Sequence, residues 1–252
     1  MDVITIILFS LVILVAAFTQ ALTGFGFALV SVPILVNFVS PKISVPIIMV
    51  LTIPVMITIL IDLWKYVQLK RIWLLMLMGF TGMPFGTYLL VYLDVQLLKI
   101  IIGLAIVLFG TALLIGYSQR IKNEKIVSIP IGFLSGILGG STSMSGPPVI
   151  LFFSNQGDEK NVFRANLVTY FLFLHLSIIP TYIISGLVTM DIVQTAFFLL
   201  PALIVGAVLG VKFAAKIDEN IFRKVILIII VLSGFISVIT GITAIQTRTI
   251  CY

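Results

Sequence analysis

Ten consecutive residues, Gly139-Gly140-Ser141-Thr142-Ser143-Met144-Ser145-Gly146-Pro147-Pro148, combine hydroxyls, helix-breaking glycines and helix-starting prolines inside an otherwise apolar run. The hydroxyls of Ser141, Thr142, Ser143 and Ser145 are hydrogen-bond donors. Gly139, Gly140 and Gly146 let backbone approach a ligand closely. Pro147 and Pro148 suit a first helical turn, where the missing N–H has no intrahelical role. A second cluster, Gln20, Thr23, Gly24, Phe25 and Gly26, interrupts the first apolar run in the same manner. Where such a break opens a new helix, the exposed N–H groups carry about half a positive charge and attract anions. The chemistry on offer is therefore anion binding without a buried Lys or Arg. Three residues of a later segment join the candidates. Arg164 presents a fork-shaped partner for an oxyanion. Asn166 adds an amide beside it. His175, the single histidine, is a candidate carrier of a coupling proton.

These residues need a membrane to make sense. The 252-residue chain is 61% hydrophobic and 10% charged, with a mean hydropathy of +1.29. Such a composition cannot cover a water-soluble domain, and apolar runs of about 20 residues fit spanning helices rather than barrel strands. They lie at about 3–39, 43–63, 72–91, 97–117, 126–154, 162–186, 191–211 and 222–245. In a hydrocarbon setting a broken helix survives only where protein or a water-filled cavity surrounds it. The first run lacks a basic leading region and a small-residue cleavage site, so it reads as a retained helix. The lone Cys251 excludes a disulfide framework, and no metal-type Cys/His cluster or Walker loop is present. No cofactor or metal is expected. The serines lack a base other than His175, which argues against an enzyme.

The two breaks occupy matching places in an internal repeat. A shift of 115 pairs Phe18 with Phe133, Gly24 with Gly139, Pro33 with Pro148 and Phe38 with Phe153. Further on a shift of 124 pairs Gly82 with Gly206, Gly86 with Gly210, Asp94 with Asp218, Lys99 with Arg223 and Gly110 with Gly234. The whole chain, 1–252, is then one transporter domain made of halves at about 1–117 and 121–246, joined by a charged linker at 118–125.

Loop charge selects the topology. The excess of 15 Lys+Arg over 9 Asp+Glu reads as cytoplasmic loops rather than a nucleic-acid surface. If every apolar run crosses once, Lys and Arg divide seven to eight, with no bias. If 126–154 enters and returns on one side, twelve of them fall on one face, at 65–71, 120–125, 160–164 and 212–224, against Lys42, Lys99 and Arg248 on the other. The second arrangement obeys the positive-inside rule. Extended to 3–39 by the repeat, it predicts an all-α integral membrane protein with two inverted-topology repeats, each a broken, re-entrant helical hairpin plus three transmembrane helices. Both termini lie outside. Trp64, Tyr66 and Trp73 read as an interfacial aromatic belt, Asp62 as an interfacial residue, and Asp94 and Asp218 as helix caps.

Two stretches carry a family resemblance. Gln20-Ala21-Leu22-Thr23-Gly24-Phe25-Gly26-Phe27 is one. Gly132-Phe133-Leu134-Ser135-Gly136-Ile137-Leu138-Gly139-Gly140-Ser141, followed by Ser145-Gly146-Pro147-Pro148, is the other. Together they resemble the paired motifs of the TauE/SafE sulfite exporter family, in length, duplication and motif position along essentially the whole chain. The resemblance implies an inner-membrane permease for sulfur-containing or small organic anions such as sulfite, sulfonates or sulfoacetate. The residues alone reach a small anionic substrate, protons as a coupling ion, and a secondary-active carrier, with a passive anion channel as the alternative and a membrane hydrolase behind both.

Overall fold

The computed structural model describes residues 3–116, 123–154, 156–213 and 219–250. Among them the chain forms ten α-helices: α1 (Val3–Thr23), α2 (Phe27–Leu35), α3 (Pro41–Leu63), α4 (Leu69–Tyr92), α5 (Val95–Leu114), α6 (Glu124–Thr142), α7 (Gly146–Ser154), α8 (Lys160–Ile184), α9 (Met190–Phe213) and α10 (Glu219–Ile250). Eight are long and apolar enough to cross a membrane. The other two, α2 and α7, have 9 residues each and reach only ~13 Å. Large apolar side chains such as Leu108, Phe197, Phe198 and Phe235 point outward, the surface expected where lipid replaces water. Asp218, linker residues 117–122 and Cys251 lie outside the described residues.

Local chemistry sets the helix ends. Ser40 accepts from the Lys42 N–H and Pro41 opens α3. The Asp94 carboxylate accepts from Gln96 N–H at 2.8 Å, as expected of a cap on α5. Asn123 does the same for α6 through Ile126. Helix α1 stops where Gly24 and Gly26 take φ of 86° and 116°, a region that favours glycine. Helix α6 stops at Ser143, with φ 58°.

At both breaks the chain turns back on itself. Ser135 Oγ donates to the carbonyl of Ser145 at 2.6 Å; a straight helix would hold those residues ~15 Å apart. The Phe27 N–H donates to Gln20 Oε1 at 2.9 Å. The ends of each hairpin stay together. Arg71, in the first turn of α4, pairs with Glu124 at the start of α6 at 3.1 Å, and with Asp158 and Gln156 just after α7. At the other end of the bundle Ile6 of α1, Ile43 of α3 and Thr189 beside α9 line one cleft, and Lys42 Nζ donates to the Val91 carbonyl at 2.7 Å.

Close helix crossings interlock the chain. A Cβ on Gly82 or Gly86 of α4 would strike the carbonyl oxygen of Phe133 or Ile137 in α6. A Cβ on Gly206 or Gly210 of α9 would strike that of Leu14 or Phe18 in α1. Gly82 and Gly206 differ by 124, as the sequence pairing has it. Their partners differ by 119, not 115. The same 119 separates Thr23 from Thr142 at the ends of α1 and α6, and it carries α2 onto α7 residue for residue. Gly24 therefore matches Ser143, not Gly139, and Pro33 does not match Pro148. The slip is four residues, about one helical turn, which returns apolar and small residues to the same face.

Candidate functional site

The two turns converge on a small cavity of about 30 Å³, room for ~two waters. Its wall takes Gln20 from α1, Phe25, Gly26 and Phe27 from the first break and the start of α2, and Ser143, Ser145 and Gly146 from the second break and the start of α7. Thr52 and Met56 of α3, and Phe171 and His175 of α8, also line it. Both α3 and α8 present the middle of their length here.

The helices explain its character. α2 and α7 each begin at the cavity, and first-turn N–H groups have no partner inside their own helix. In α7 the prolines at 147 and 148 supply none, which leaves the flanking residues to donate. Gln20 is oriented by its bond to Phe27. An N–H needs an acceptor, so Oε1 faces Phe27 and the amide nitrogen points elsewhere. That Nε2 is buried without a hydrogen-bond partner, and so are both imidazole nitrogens of His175, a residue only 2% exposed.

Other sequence candidates stand outside this wall. Thr23 Oγ1 donates to the Thr19 carbonyl at 2.9 Å and accepts from Phe25 N–H. Thr142 Oγ1 repeats the arrangement with Leu138 and Met144. Ser141 Oγ donates to the Ile137 carbonyl at 2.7 Å. Hydroxyls in helices readily bond the carbonyl one turn back, and here they shape the breaks. Gly139 and Gly140 make room for helix contact: a Cβ at 139 would press on Leu174, one at 140 on the Met83 carbonyl. Pro147 is buried in the first turn of α7.

Arg164 reaches the tip of the opposite hairpin. Its Nη2 donates to the Ala21 carbonyl at 3.2 Å, and a Cβ on Gly24 would lie 2.8 Å from its Nε. A cation at the last carbonyls of α1 meets the negative end of the helix dipole. Asn166 Oδ1 accepts from the Gln68 N–H at 2.9 Å and so holds the turn before α4, away from the cavity.

Thr52, Met56 and Phe171 were not among the sequence candidates. Under the structural shift of 119, Thr52 matches Phe171 and Met56 matches His175, so the correct register would have exposed the pairs.

The family described as Sulfite exporter TauE/SafE matches residues 9–236. Among curated proteins and solved structures no significant match was found. With a family match over nearly the full length, and eight helices able to span a membrane, the chain belongs to the sulfite exporter TauE/SafE family and is a multi-pass membrane transporter.

Proposed function

We propose that this protein is a secondary-active permease for small oxyanions, sulfur-containing ones such as sulfite or organosulfonates among them, without chemical change to the substrate. The observation that carries the reading is the convergence of the α2 and α7 N-termini on one buried cavity with Gln20 and His175. Two half-charges and a set of oriented N–H donors favour an anion in a dry interior. The sulfur preference comes from the family alone.

The helix crossings support alternating access. α4 crosses α6 while α9 crosses α1, and each hairpin keeps both ends at one side of the bundle. These contacts support two inverted repeats, with re-entrant hairpins entering from opposite faces. Transporter sites commonly lie between such repeats near the midplane. The loop bias then puts the Arg71 end in the cytoplasm and both termini outside an inner membrane.

The cavity is too small for a free pore, so a carrier is favoured over a channel. Proteoliposome flux against sulfite, thiosulfate, sulfonates and carboxylates tests the reading. Saturating uptake with counterflow of one of these anions is the expected result. High unitary conductance would mean a channel, and no flux of any anion would end the proposal.

A further inference from the structure

The charge balance of the cavity points to what it accepts. Its polar atoms come from Gln20, Thr52, Ser143, Ser145 and His175, and its wall holds no Asp, Glu, Lys or Arg. Along α8, Arg164 bonds the Ala21 carbonyl near the helix start. Tyr170 and Tyr182 donate to Ser135 Oγ and the Gly140 carbonyl of α6. α3 presents Thr52 and Met56, α1 presents Gln20, and α4 approaches α8 through Gly79 at Tyr170 and Thr87 at Thr181.

Among the described residues of the cavity wall, His175 is thus the sole side chain able to gain a full positive charge. Both its nitrogens are buried and unpartnered. A neutral imidazole offers an anion one N–H donor and keeps one lone pair, whereas an imidazolium donates from both nitrogens. The Gln20 amide nitrogen supplies a further donor with no competing partner. A buried charge needs a counter-charge, and one imidazolium balances one negative charge.

Resting on the anion-transport reading above, we propose that the substrate is a monoanion carried together with one proton on His175, so that the loaded site is electrically neutral. The proton comes from the aqueous side that the cavity faces, forms an N–H bond on the imidazole, and leaves to the opposite side with the anion. Nothing is oxidised or reduced. Hydrogensulfite and sulfonates satisfy this balance. Sulfate, a dianion at neutral pH, would leave one formal charge that the imidazolium does not balance, to be met by the partial charges of the helix ends alone, and is disfavoured. An electroneutral cycle also lets the pH gradient drive an anion without opposition from the membrane potential.

Purified full-length protein in proteoliposomes, with pyranine inside and potassium/valinomycin to set the potential, distinguishes the outcomes. The probes are methanesulfonate, a fixed monoanion, and sulfate. The expected result is methanesulfonate entry that carries one proton per anion, rises up to tenfold per unit fall in outside pH, and ignores the potential, with no sulfate entry. His175→Gln should abolish the proton movement. Methanesulfonate entry that moves net charge and no protons would overturn the proposal while leaving anion transport intact. Sulfate entry at a comparable rate would overturn it too, as would unchanged proton coupling in His175→Gln. If that variant does not fold, the wild-type proton and charge counts still decide. No movement of either probe, or of sulfite, removes the transport reading and this proposal together.

Discussion

Ser143 Oγ, at the tip of the second hairpin, donates to the carbonyl oxygen of Val45 near the start of α3, 3.1 Å away. Its counterpart is the bond from Arg164, near the start of α8, to Ala21 at the tip of the first hairpin. Val45 and Arg164 stand 119 residues apart, as do Gly24 and Ser143. Each hairpin tip is therefore tied to a corresponding position of a long helix, Val45 in α3 and Arg164 in α8.

Removing one tie should bias access to one side. Ser143→Gly keeps the left-handed φ free of strain and deletes the hydroxymethyl side chain. Stability should change by no more than about 1 kcal/mol, with a changed ratio of inward to outward flux. Ser143→Leu, placing a branched side chain in a buried left-handed position, should abolish flux with protein still in the membrane. Unaltered uptake in Ser143→Leu would remove this tip from the transport path.

Gly24→Ala should destabilise the protein by about 1–3 kcal/mol, because alanine is strained at φ 86° and its Cβ presses on Arg164. Thermal unfolding in detergent measures it. Arg164→Lys should also lower flux, since an ammonium lacks the guanidinium fork. A wild-type melting temperature for Gly24→Ala would mean that this contact relaxes without cost.

The glycine crossings predict a matched pair. In Gly82→Ala and Gly206→Ala the new methyl meets backbone carbonyl oxygen rather than a movable side chain. Each should cost about 1–3 kcal/mol as the helices separate, and the two losses should be similar. A large loss in one and none in the other would contradict an equivalent role for the crossings.

Topology is open to a labelling test. With the native Cys251 replaced by serine, single cysteines at Lys42 and Lys160 should react with an impermeant maleimide from opposite faces, Lys160→Cys from the cytoplasmic side. Labelling from one face would end the inverted-hairpin arrangement.

Arg71→Ala should loosen the mouth of the second hairpin. It leaves Glu124 and Asp158 without their shared cation. Arg71 is partly exposed, so the loss should be about 1 kcal/mol, and smaller at high salt. A larger proteolytic sensitivity around 156–158 would report it, and salt-independent stability would argue against an ionic role.

Much of the fold was legible because bilayer physics acts on local sequence. A run of about 20 apolar residues must be a helix, since lipid offers no partner for its backbone. The runs at 43–63 and 191–211 accordingly appear within α3 and α9. Gly24, Gly26 and the 139–148 stretch announced the two breaks, although Gly139 and Gly140 lie inside α6 and the chain leaves that helix only at Ser143. Asp94 was readable as a cap from its place before α5. Arg71, by contrast, counted only as one loop charge, and nothing along the chain reveals that Glu124 and Asp158 will meet it.

Sequence by itself determined the helical membrane class, the two interruptions and the family. Tertiary structure alone decided which positions of the two hairpins make corresponding contacts and the membership of the cavity wall. Helical periodicity repeats every turn, so a four-residue slip from 119 to 115 keeps the apolar and small pattern nearly intact, and only contacts such as Gly206 on Leu14 discriminate the two. A hydroxyl near a helix end can bond its own backbone or a ligand. Packing sent Ser141, Thr142 and Thr23 to their own helices, and brought Gln20, Ser145 and His175, far apart in the chain, to one cavity.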